Sequence, residues 1–155
     1  MRNVGIILCI IAVICIAGCL IPQYQEPTVT VDGIAIENIT LSSIDLQVRL
    51  TITNPNPVGA TLQQVSFDVY FLAGGEQMFL AHGERGGFNV RPEGDTTISI
   101  PVTVDNVRLV QVVISLLQEG AVTFRVSGSG TFDVGGVTTF EVPFNETTEV
   151  RLPSR

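Results

Sequence analysis

The sequence predicts an all-β fold with one short helix: an antiparallel β-sandwich of about seven strands behind an apolar leader. Three observations carry this. Apolar and polar residues alternate through several runs, the period of a strand with one dry and one wet face. Clusters of Gly, Pro, Asn and Asp separate the runs at short intervals, as between the strands of a sandwich. A single segment breaks the period and places its apolar residues at helical spacing.

The leader comes first. Arg2 precedes an uncharged apolar run from Val4 that closes on Ile16-Ala17-Gly18-Cys19, and a basic start, an apolar core and small residues before a cut are the parts of a secretion signal. This ending resembles a lipoprotein signal peptide, in which the Cys thiol takes a lipid before cleavage. The resemblance implies a signal over residues 1–18, lipidation at Cys19 and a tether over 19–26. A second reading stays open: Val4 to Ile21 is about eighteen apolar residues, the lower limit for a membrane-spanning helix, so the leader could remain as an uncleaved anchor. Both make the membrane a partner. Arg2 is the only charge before Glu26, so the positive-inside rule exports the rest of the chain to the outer face of the cytoplasmic membrane or the cell envelope.

Cys9 and Cys15 lie within the leader and Cys19 at its end, which leaves the domain over 27–152 no cysteine pair for a disulfide. Its core must hold the fold unaided, and its length suits one domain. A monomer is expected. The formal net charge is −7, more negative still once Arg2 is removed, which speaks against a nucleic-acid partner.

Along the domain, Val29 and Val31 change phase to Ile34 and Ile36 across Asp32-Gly33, and an extra residue there, a β-bulge, would restore the pairing. Ile44, Leu46, Val48, Leu50 and Ile52 alternate without a break. Asn54-Pro55-Asn56-Pro57 then ends the strand, each Pro fixing its own φ and biasing the preceding Asn toward an extended conformation. The period resumes in Val65 to Phe71, in Ile98 to Val104, in Val122 to Val126 and in Phe140 to Phe144, with turns at Gly74-Gly75, Gly83 to Gly87, Pro92 to Asp95 and Gly135-Gly136. After Asp105-Asn106, a capping pair, Leu109, Val110, Val112, Val113, Leu116 and Leu117 recur at helical spacing up to a stop at Gly120. This helix of about three turns closes an end or edge of the sandwich.

An Asn-Pro-Asn turn directly after a long alternating strand, in a domain with one helix before its last hairpin, resembles the group-2 late-embryogenesis-abundant domain, also called WHy, of water-stress and hypersensitive-response proteins. The resemblance covers nearly all of 27–152. It implies a fibronectin/immunoglobulin-like sandwich and a role in desiccation or water stress. Asn54, Pro55, Asn56 and Pro57 form a candidate surface turn, either plain turn formers or part of a binding surface.

Catalysis finds little support. His82 is the only histidine, hydroxyls look scattered, and no mature free thiol remains beside the lipid site, so no triad is visible and His82 is read as a surface or edge residue. Gly83-Glu84-Arg85-Gly86-Gly87 lacks the Lys and following helix of a phosphate loop and is read as a flexible hairpin loop. Asp32, Glu93, Asp95, Asp105 and Asp133 sit near turns without a calcium-loop spacing, so no metal and no cofactor is assigned. Asn38-Ile39-Thr40 and Asn145-Glu146-Thr147 are sequons that could accept glycans or serve as ordinary turns.

Two functional readings remain. One is a non-catalytic protective protein held at the membrane, as the family resemblance implies. The other is a module binding a lipid or a peptide in a groove or on an edge strand. An apolar cavity open at one end would favour the second and a closed core the first.

Overall fold

The computed structural model describes residues 23–40, 42–105, 112, 114, 118 and 120–151. Eight strands follow in order: β1 (Thr28–Ile39), β2 (Ser43–Asn54), β3 (Ala60–Ala73), β4 (Glu76–Arg85), β5 (Phe88–Val90), β6 (Gly94–Asp105), β7 (Ala121–Val134) and β8 (Thr138–Arg151). They form two antiparallel sheets, β1-β2-β6 and β4-β3-β7-β8, with β5 pairing β3 beyond the end of β4. Strand β1 lies against β8 and β4 against β6, which closes the sandwich along both seams.

Alternation places the core as the sequence predicts. Along β2 every residue from Ile44 to Asn54 on the even parity is buried, with Val48 and Leu50 fully so, and Val65, Phe67, Val69 and Phe71 of β3 face them from the second sheet. Phe71 packs on Phe124 and Phe67 on Phe144, with centroids 6.3 and 6.4 Å apart at tilted angles that suit aromatic pairs. Phe67 is flanked by glycine on both neighbouring strands, Gly83 of β4 and Gly128 of β7. A Cβ at Gly83 would come within 2.5 Å of the Phe67 ring, and one at Gly128 within 2.2 Å of the Ser66 carbonyl.

The expected bulge is present as a register shift between Val31 and Gly33, and a second shift lies between Ile36 and Asn38. The eighth strand, β5, is three residues long and shows no period of its own. Gly83 to Gly87 is not a hairpin loop. Gly83, Glu84 and Arg85 continue β4, and Gly86-Gly87 forms a kink from which the edge resumes as β5 on the same side of β3. Gly86 is needed because a Cβ there would meet the Gln63 carbonyl at 2.1 Å, and Gly87 sits at φ +81° while its N–H donates to the Leu62 carbonyl at 2.9 Å. The guanidinium of Arg85 spans the kink over the Phe88 ring, 5.2 Å from its centroid.

Most of the expected helix lies outside the described residues. Val112, Ile114 and Gln118 are helical, Val112 is buried in the core, and Gly120 has φ +71°, the left-handed conformation of a helix stop.

The outer face of β1-β2-β6 is rich in hydroxyls. Thr51 donates to Asp32 at 2.6 Å and shares a hydrogen bond with Thr97 at 2.9 Å, Thr53 donates to Asp95 at 2.6 Å, and Thr103 to Asp45 at 3.0 Å. Each of these three carboxylates is therefore met from a neighbouring strand by a neutral donor.

Candidate functional site

The corner Asn54-Pro55-Asn56-Pro57 is built by the end of β2. Asn54 continues the inward parity of that strand, and its side chain is buried, as is that of Asn56, while Pro55 and Pro57 are exposed. These are the two buried polar residues among the described ones. Their amides satisfy one another and three pieces of chain. Asn54 Nδ2 donates to the carbonyls of Val58 at 2.9 Å and Arg91 at 3.1 Å, and its Oδ1 accepts from the Asn56 backbone N–H at 3.1 Å and from Asn56 Nδ2 at 2.9 Å. All four hydrogen-bonding positions of that side chain are used. Asn56 Nδ2 also donates to the Gln25 carbonyl at 2.8 Å, its Oδ1 accepts the Gln25 N–H at 2.7 Å, and its own carbonyl takes the Glu93 N–H at 2.9 Å.

The corner thus ties the segment before β1, the β2–β3 turn and the β5–β6 turn together at one end of the sandwich. Sequence reasoning left the asparagines between turn formers and parts of a binding surface. Only the two prolines reach the surface. The fold also reaches back into the stretch assigned to the tether, since Tyr24 packs against the core and Gln25 is held by Asn56.

A second constellation lies on the outer face of the β3–β4 pair. His82 Nδ1 is 2.7 Å from Asp68 Oδ1, its Nε2 is 3.4 Å from Ser66 Oγ, and the Tyr70 hydroxyl donates to Asp68 Oδ2 at 3.3 Å. Of the hydroxyls that looked scattered, that of Ser66 lies beside the histidine, and cross-strand pairing sets Asp68 opposite His82. Partial desolvation first, then the charge of Asp68 and the hydrogen bond to it, hold the Tyr70 hydroxyl above its usual pKa. The order Ser, His, Asp is that of a general-base relay. The site is nevertheless open: the side chains of His82 and Asp68 are 49% and 39% exposed. The backbone N–H groups of β3, the strand that carries Ser66, are committed to ladders on both sides and are not free to receive an oxyanion.

The remaining candidates are spread out. Asp133 accepts the Gly136 N–H at 2.8 Å and closes its turn, Asp32 and Asp95 take threonine hydroxyls, and Asp105 lies at the end of the sandwich opposite Glu93, Asp95 and Asp133. Among the described residues, no three His, Cys, Asp or Glu side chains come together to hold a metal. Asn38 and Asn145 are both exposed, on β1 and β8 and not in turns. Cys19 lies outside the described residues, among which no helix is long and apolar enough to cross a membrane. Among the described residues, an apolar pocket bordered by Ile36, Leu46, Leu80, Val104, Val112 and Phe124 has a volume of about 10 Å³, about the room for one water.

Comparisons with known proteins agree with this architecture. A solution structure of AT1g01470 from Arabidopsis thaliana shares the fold with a TM-score of 0.63 at 17% identity, over 88% of this chain and 89% of that one. That of a candidate late embryogenesis abundant protein, At2g46140.1, gives 0.53 at 21% identity, over 84% and 73%. An uncharacterized protein of Methanocaldococcus jannaschii, MJ1138, is 33% identical over 116 residues, 72% of this chain and 64% of its own length. The family model for late embryogenesis abundant protein, LEA_2, matches residues 49–148, which begin inside β2, take in the Asn54–Pro57 corner and end inside β8, so the chain belongs to that family.

Proposed function

We propose that the chain is a non-catalytic late-embryogenesis-abundant domain of the WHy type, exported, anchored at the membrane through a lipid on Cys19, and protecting other molecules during water loss. The observation that supports shielding over carriage is the packing of the described core, where side chains of both sheets, Val48 and Leu50 with Val69 and Phe132, are fully buried. The apolar pocket among the described residues, about 10 Å³, is too small for an acyl chain. The hydroxyl and carboxylate side chains of the outer faces leave the domain a strongly hydrated exterior. In this reading, it acts through that exterior and not through a pocket between the sheets.

The experiment dries a labile reporter enzyme with the purified chain, and with an equal mass of an unrelated acidic β-sandwich, and extracts the same preparation for bound lipid. Protection beyond the control supports the reading. Stoichiometric lipid held within the domain, with no protection, would replace it by the carrier function.

A further inference from the structure

A groove of about 300 Å³ runs beside the bulge of β1. It is walled by β1 from Asp32 to Ala35, by Gln47 and Arg49 of β2, and by Thr148 and Glu149 of β8. The extra residue at Asp32 bends β1 locally and breaks its ladder with β2 there.

The chemistry of the groove is of mixed sign and incompletely matched within the chain. Arg49 is exposed and has no carboxylate at ion-pair distance among the described residues, where the two ion pairs are His82–Asp68 and Arg151–Glu149. Asp32 engages one carboxylate oxygen with Thr51 and Glu149 one with Arg151, which leaves each a second oxygen.

We propose that this groove binds a small zwitterion, an α-amino acid, with its carboxylate on Arg49 and its ammonium on the free oxygens of Asp32 and Glu149. The guanidinium can take the carboxylate by two parallel N–H donors, and an ammonium has N–H groups enough to donate to both acidic side chains. A plain carboxylate meets two like charges, on Asp32 and Glu149. A plain amine leaves Arg49 unpaired. The volume is at the lower end of small-molecule sites, which suits a ligand of few heavy atoms.

The test is a chemical-shift titration of the isotope-labelled full chain with L-alanine, acetate, ethylamine, trimethylglycine and glucose. L-alanine alone should move the Gly33 amide and the Gln47 side-chain amide to saturation. Arg49→Gln should weaken that binding by about tenfold or more, the usual loss of a charge-assisted contact, with an unchanged thermal midpoint because Arg49 is exposed. Trimethylglycine has no N–H for the carboxylates of Asp32 and Glu149 and should not saturate. Equal binding of acetate, ethylamine, trimethylglycine or glucose, survival of L-alanine binding in Arg49→Gln, or no saturation by L-alanine would each overturn the proposal.

Discussion

Asn56 holds Gln25 by both of its backbone polar groups, accepting its N–H at 2.7 Å and donating to its carbonyl at 2.8 Å. A side-chain amide here does the work of a neighbouring strand, and Asn54 supports it from below. Removing Asn54 takes the side-chain partner from the carbonyls of Val58 and Arg91 and from the backbone N–H of Asn56. At about 1 to 3 kcal/mol for each buried orphan, Asn54→Ala should lose about 3 kcal/mol or more in urea denaturation. Asn54→Asp, of the same shape, should lose at least as much because a carboxylate cannot donate. A midpoint near wild type in either variant would show that the corner is only a turn.

Gly128 and Gly83 make room for Phe67 in different ways, and the difference is measurable. At Gly128 a methyl group meets the Ser66 carbonyl, which belongs to the ladder, whereas at Gly83 it meets the rotatable Phe67 ring. Gly128→Ala should therefore cost more than Gly83→Ala, which falls in the range of about 1 to 3 kcal/mol for overpacking. Phe67→Ala should relieve the Gly83→Ala defect in a double-mutant cycle and leave that of Gly128→Ala largely in place. Additive losses at Gly83 would count against the proposed contact.

The Tyr70 hydroxyl has a folded-state pKa above the ordinary tyrosine value of 10.0, because desolvation and Asp68 both favour the neutral form. A raised pKa contributes stability that is complete below the unfolded value and disappears as pH climbs through the folded one. This contribution should be constant through neutral pH and lost only in the alkaline range above about 10. Ultraviolet titration checks it: Asp68→Asn should move the Tyr70 transition to lower pH, and an unmoved transition would remove Asp68 as a cause.

Membrane retention should depend on the Cys19 thiol. Cys19→Ser is expected to lose lipid mass and to leave the detergent phase, since stable anchoring takes more than one buried chain and this residue is where the lipoprotein resemblance places them. Retention of the serine variant with an intact leader would instead establish the uncleaved helix.

Much of this architecture was legible because burial on one face imposes a period of two. Five strands and the bulge at Asp32 could be read from that period directly. Glycines were harder, because the same residue serves turns and close packing: Gly83 and Gly86 signalled a hairpin but sit where Phe67 and the Gln63 carbonyl leave no space. The meeting of Ser66, Asp68 and His82 depends on register, which includes a shift between Val69 and Tyr70 that no local pattern announces. The burial of Asn54 did leave a signal. It stands on the inward parity of Ile44 to Ile52, two residues beyond the last aliphatic side chain.

The threonine hydroxyls that meet Asp32, Asp45 and Asp95 have a consequence for ionic strength. Attraction on that face is carried by short hydrogen bonds to uncharged donors, which dissolved ions do not screen, whereas the repulsion within a chain of net charge −7 acts over longer distances and is screened. As a drying solution concentrates its salt, this sheet loses repulsion while keeping its cross-strand bonds.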